Sequence, residues 1–138
     1  MKNYPAIFIN RLFLAPEEPQ SSLKIIIWWE YRRIPYNIII AIIGFISFLS
    51  YTYFIIHAGN LREGEDAVEP VLILAAPILI NIAYTFGWII ELILRFLFRF
   101  KSKWIGPTLF GMGLAFSIFI ILFPTIFWGT VYIIKSIC

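Results

Sequence analysis

Three apolar stretches, each running more than twenty residues without an Asp, Glu, Lys or Arg, limit what this chain can fold into more than any other feature. A hydrocarbon core of about 30 Å is crossed by roughly 20 apolar residues in a helix. Buried helices of soluble domains rarely run so far without a charge. The spans fall at residues 35–56, 70–98 and 105–134, so the expected fold class is an all-α membrane protein with three transmembrane helices. Composition agrees: 61% of the 138 residues are hydrophobic and 14% charged, against about 25% charged in soluble proteins. Residues 1–138 read as a single integral membrane domain.

Residues 1–34 form a cytoplasmic or interfacial lead-in. An apolar stretch from Ala6 to Ala15 meets a run of turn residues, Pro16, Glu17, Glu18, Pro19, Gln20, Ser21 and Ser22, which reads as a loop. Pro5, Asn10 and Arg11 break the first apolar patches, so no secretory-signal core forms and the chain is expected to be retained whole. From Ser22, the expected N-cap, Leu23, Ile26, Ile27 and Tyr31 mix with Lys24, Arg32 and Arg33 as in a short amphipathic helix lying flat in the membrane interface. Pro35 then suits the first turn of span one, where its missing N–H costs nothing.

Basic residues resist transfer to the outer side of a membrane, and acidic ones matter little. Lys2, Arg11, Lys24, Arg32 and Arg33 precede span one, and Arg95, Arg99, Lys101 and Lys103 form the basic end of span two and the loop after it. Only Arg62 and Lys135 fall on the opposite side. This bias places the N-terminus in the cytoplasm and the C-terminus outside a cytoplasmic (inner) membrane. Aromatic residues follow the same division, with Trp28, Trp29, Tyr31, Tyr36 and Trp104 at the inner boundary and Tyr51, Tyr53, Trp128 and Tyr132 near the outer one. The net charge of +3 is explained by this topology rather than by a nucleic-acid partner. Span three would be about 43 Å long if straight, so a bend is expected at Pro124, freeing the carbonyl of Ile120, and another at Pro77, freeing that of Ile73.

Each span carries a stripe of small or polar residues at steps of three and four. They are Asn37, Ala41, Gly44, Phe48 and Tyr51; then Pro77, Asn81, Tyr84, Trp88, Glu91 and Arg95, with Thr85 beside them; then Gly106, Phe110, Gly113, Ser117, Ile120 and Pro124. Helix association in lipid relies on close approach of small residues and on interhelical hydrogen bonds, so these stripes are the expected packing faces, with one another or with a partner. Glu91 is the single acidic residue inside a span, and a charge at the bilayer centre costs at least about 2.5 kcal/mol on insertion scales. It sits one turn before Arg95, which predicts an i,i+4 ion pair, with Arg32 and Arg33 also at that level. A proton-carrying or ion-coordinating Glu91 is the alternative.

Chemistry is hard to find. One histidine excludes His-rich metal sites and paired haem ligands within a single chain. Ser50 and His57 would lie about 10.5 Å apart along a helix, too far for nucleophile activation. Glu63, Glu65, Asp66 and Glu69 form an external acidic loop without calcium-loop spacing. The lone Cys138 excludes an internal disulfide. No phosphate-binding, dinucleotide or CxxC motif occurs, so no cofactor is expected.

Trp28 to Asn37, WWEYRRIPYN, is the most distinctive stretch. Trp28, Trp29, Arg32 and Arg33 are expected to contact lipid headgroups or a partner, with anionic lipids as ligands. The E-x-R-R-x-x-Y-N pattern from Glu30 to Asn37 resembles the lead-in to the first span in small uncharacterised multi-pass bacterial proteins. That resemblance implies a bacterial cytoplasmic membrane and brings no activity. The function expected is a non-enzymatic accessory or scaffold subunit of a larger membrane complex, acting through helix packing and the acidic loop. A homo-oligomeric small transporter or pore using the polar face of span two is the alternative, and a lipid-modifying enzyme is disfavoured for want of clustered His, Asp or Ser.

Overall fold

A computed structural model describes residues 13–14, 21–58, 64 and 70–137. Among these residues the chain forms three helices: α1, Ser22–His57; α2, Pro70–Phe96; and α3, Ile105–Ile137. All three are long and apolar enough to cross a membrane, which supports a multi-pass membrane protein. Glu63, Glu65, Asp66 and Glu69 of the acidic loop, and Cys138, lie outside the described residues.

No separate amphipathic helix precedes the first span. Residues 22–34 are the N-terminal part of α1, and Pro35 lies in its interior rather than in a first turn. Ile25, Trp29 and Tyr36 are buried at i, i+4 and i+11, so the helix keeps its phase through the proline and packs one continuous face. The lost hydrogen bond is the one to the Tyr31 carbonyl, on a residue whose side chain is exposed. The N-cap is Ser21, one residue earlier than expected. Its Oγ accepts from Lys24 N at 3.4 Å and its carbonyl from Ile25 N at 3.2 Å.

The chain divides into two compact units. The first contains residues 1–36 and 81–115 and is built on aromatic packing. Phe110, 1% exposed, lies with its ring centroid 5.6 Å from Phe13, 6.1 Å from Trp29, 6.3 Å from Trp28 and Tyr36, and 6.4 Å from Tyr84. All five pairs meet edge to face at steep angles, the geometry a ring quadrupole favours, and such pairs contribute about 0.5–1.5 kcal/mol each beyond area burial.

The second unit contains residues 37–80 and 116–138, and a neutral polar contact joins α1 and α3 within it. Ser47 of α1 places its Oγ 2.7 Å from the Ile121 carbonyl and 2.6 Å from Thr125 Oγ1, which itself donates to Ser47 O at 2.9 Å. Two hydroxyl protons thus serve three acceptors beside Pro124, where the helix lacks a backbone donor. The carbonyl that Pro124 frees is that of Ile120, so these hydroxyls join α1 to α3 beside the proline rather than replace its missing bond. Lower down, Lys135 Nζ donates to the carbonyl of Ala58 just past the end of α1 at 2.8 Å. A Cβ on Gly129 would come within 3.1 Å of the Phe54 ring. Tyr53, Phe54, His57 and Tyr132 cluster nearby, with His57 stacked on Tyr53 at 4.1 Å.

Ser47→Ala removes one hydroxyl from the α1–α3 contact, and interhelical hydrogen bonds of this kind contribute about 0.6–1.7 kcal/mol. Denaturant titration in detergent should show a loss in that range. No loss would mean that the hydroxyl does not join the helices.

Candidate functional site

Glu91 brings the first unit to a point. It lies on the α2 face that also carries Tyr84, and its side chain is 1% exposed. Arg95, one turn later and 9% exposed, donates from Nε to Oε1 at 2.8 Å. Trp29 of α1 donates from its indole Nε1 to Oε2 at 2.7 Å. The third helix contributes a missing side chain: a Cβ on Gly106 would lie 2.7 Å from Oε2, so the α3 backbone backs directly onto the carboxylate. Three helices therefore meet at one ionisable group.

Trp29 is held in place as firmly as the group it binds. Its ring lies over Gly87, where a Cβ would come within 2.7 Å of Cη2. Its carbonyl accepts the Tyr84 hydroxyl, and its ring meets those of Trp28 and Tyr84 edge to face at 5.5 and 5.3 Å. Tyr84 thus anchors the Trp29 backbone while Glu91 anchors its side chain.

The arginines of α1 take their own partners. Arg33 Nη2 lies 3.1 Å from Glu30 Oε1 and donates to Thr85 Oγ1 at 3.0 Å, with the guanidinium 5.3 Å from the Tyr84 ring. Thr85 in turn donates to the Asn81 carbonyl at 2.9 Å. Arg32 stacks over Trp28 at 3.8 Å and donates to the carbonyls of Trp28 and Leu14 at 3.1 and 3.3 Å. Glu91 pairs with Arg95, while Glu30 supplies the carboxylate for Arg33.

Trp28 and Trp29, expected at the lipid headgroups, are both buried. Each indole N–H finds an acceptor inside the unit: the Leu14 carbonyl at 3.2 Å for Trp28, and Glu91 for Trp29. An interface belt needs the polar edge in water, whereas here the polar edge is consumed internally. In the small-residue stripe of α1, Ala41 is exposed, and among the described residues nothing would lie within 4 Å of a Cβ on Gly44. On α3 the stripe divides, with Gly106, Phe110 and Ser117 buried and Gly113 exposed. Asn37 and Asn81 are half-buried.

Sequence reasoning missed the Trp29 bond to Glu91, the Tyr84 anchor and the Ser47–Thr125 pair. Gly87, one turn before the acidic residue, is the signal that a bulky ring could approach there. Among the described residues three buried donor atoms find no acceptor: Arg95 Nη2, Arg33 Nε and Trp88 Nε1. For Arg95 the reason is visible. Nε and Nη2 form the fork that grips a carboxylate bidentately, but Oε2 is turned to Trp29, so Nη2 is stranded. Among the described residues no group of three or more His, Cys, Asp or Glu side chains is drawn together.

No protein-family model, curated protein or solved structure matches the chain.

Two substitutions rank the partners of Glu91. Arg95→Leu leaves a buried carboxylate without its cation and should cost about 3–5 kcal/mol. Trp29→Phe removes one donor but frees Oε2 for the stranded Nη2, so its cost should stay near the 1–3 kcal/mol, roughly, of one lost buried hydrogen bond. Denaturant titration of both variants in one detergent tests the order, and equal costs would refute the assignment. Gly106→Ala is expected to destabilise by about 1–3 kcal/mol through overpacking against the carboxylate.

Proposed function

We propose that the chain is a non-enzymatic accessory or scaffold subunit of a larger complex in a bacterial cytoplasmic membrane, with its N-terminus in the cytoplasm and its C-terminus outside. The observation that carries this reading is the direction in which polar groups face. Glu91, Tyr84, Ser47 and Ser117 are buried, and less than a fifth of the most apolar window of each helix is buried inside the chain. The apolar flanks therefore look outward and Ala41 with them, and no atom lies within 4 Å of where a Cβ on half-buried Gly44 would stand.

Lipid tails cover such a surface without specificity, whereas Gly and Ala at helix surfaces let another backbone approach closely. A partner helix seated along Gly44 is the contact this arrangement favours, with the acidic loop as a second point of attachment. A transport path along α2 fits less well. Tyr84 and Glu91 would have to leave the partners they already hold inside the chain.

Gly44→Leu is a clean probe, because no neighbour lies within 4 Å of the position where a Cβ would stand. At native expression in mild detergent, the wild-type chain should co-purify and cross-link with other membrane subunits, and the variant should lose them at unchanged chain stability. Recovery of the wild type only as a monomer or homo-oligomer would remove the subunit reading. Glu91→Gln addresses transport directly: proteoliposome flux present in the wild type and abolished in the variant would replace the scaffold with a pore.

A further inference from the structure

The segment between α2 and α3, residues 97–104, turns outward what the rest of the first unit turns inward. The end of α2 unwinds over Ile93, whose carbonyl accepts from Leu97 N at 2.9 Å and from Phe98 N at 3.3 Å, and Phe100 N then reaches back to Leu94 O at 3.1 Å. This closure holds Arg99 at φ 55°, a conformation that glycine adopts freely and an L side chain adopts at a cost. The turn displays Leu97, Phe98, Phe100 and Trp104, all more than half exposed.

Three cations are interleaved with them: Arg99, Lys101 and Lys103, each exposed. Lys103 Nζ sits 5.8 Å from the Trp104 ring centroid. The chain has no Asp or Glu after Glu91, and Glu91 is buried against Arg95. Among the described residues, Arg99, Lys101 and Lys103 make no ion pair.

We propose that residues 97–104 dock onto a leaflet of anionic phospholipid. The exposed aromatic and aliphatic side chains lie in the acyl boundary, and the three cations engage the phosphodiester oxygens of headgroups such as phosphatidylglycerol. Apolar and basic residues alternating within one short segment, at the end of a membrane-length helix, are the chemistry of an interfacial contact. An acidic protein surface would use the charges but leave Leu97, Phe98 and Phe100 in water, so the lipid is the better fit. With Trp28 and Trp29 turned inside, headgroup recognition moves from the motif that precedes the first span to this turn.

The full chain, reconstituted in nanodiscs holding equal amounts of phosphatidylglycerol and phosphatidylcholine, gives the test, read as the lipids retained on the protein by native mass spectrometry. The wild type should retain phosphatidylglycerol preferentially. Removing charges by Arg99→Gln, Lys101→Gln and Lys103→Gln should reduce that preference by about fivefold per charge in the limit of low screening. Arg99→Gly removes a charge while relieving the turn, so its loss of preference cannot be ascribed to unfolding. Raising salt on the wild type should weaken the preference without any substitution.

Equal retention of both lipids by the wild type would overturn the proposal and point to an acidic protein partner. A preference that survives the triple substitution would place the lipid elsewhere and overturn it equally. Displacement of the phospholipid by inorganic phosphate at matched ionic strength would make this a site for the free anion.

Discussion

A carboxylate in an apolar medium has to be met by donors, and the first unit is organised around meeting one. Burying an ion is unfavourable by several kcal/mol even after relaxation, and a single partner seldom offsets it. Glu91 receives two, Arg95 Nε on one oxygen and Trp29 Nε1 on the other. From this follow the demands on neighbouring positions. The indole can approach α2 because residue 87 is glycine, and α3 can approach the carboxylate because residue 106 is glycine. Once the indole is fixed, the rings of Trp28, Tyr84 and Phe110 have a surface to pack against.

The two units solve the same problem with different chemistry. In the first the joint is charged, and its donors exceed its acceptors, so Arg95 Nη2 is stranded. In the second it is neutral, and the hydroxyls of Ser47 and Thr125 meet backbone carbonyls beside a proline. A neutral hydroxyl carries a small desolvation cost and a small reward. A buried ion pair carries a large cost, and removing one member leaves the other uncompensated. Damage in the first unit should therefore be abrupt, and in the second graded.

Much of the fold was legible because it rests on patterns local to the sequence. Uninterrupted apolar runs located all three long helices, and α2 and α3 begin at Pro70 and Ile105 as read from the sequence. The Glu91–Arg95 pairing follows from helical spacing alone. What stayed hidden depends on contacts far apart in the chain. Trp29 and Glu91 are 62 residues apart, and nothing local distinguishes an indole that seeks a carboxylate from one that seeks headgroups. Pro35 misled for a related reason. A proline ends a marginal helix, but α1 is held on both sides of it by buried Trp29 and Tyr36, and tertiary packing outweighs one lost hydrogen bond.

The glycines divide by whether the chain itself fills the space a side chain would take. At Gly87, Gly106 and Gly129 the space a side chain would occupy is filled by Trp29, Glu91 and Phe54. Those glycines have a role inside the molecule. At Gly44 a Cβ would meet nothing within 4 Å, so no close contact among the described residues calls for a residue that disfavours an exposed helix by about 1 kcal/mol relative to Ala. In a bilayer the same residue gains from a second helix passing close enough to use its backbone as a contact surface. Internal packing accounts for Gly87, Gly106 and Gly129, and the partner helix proposed for this chain would use the open surface at Gly44.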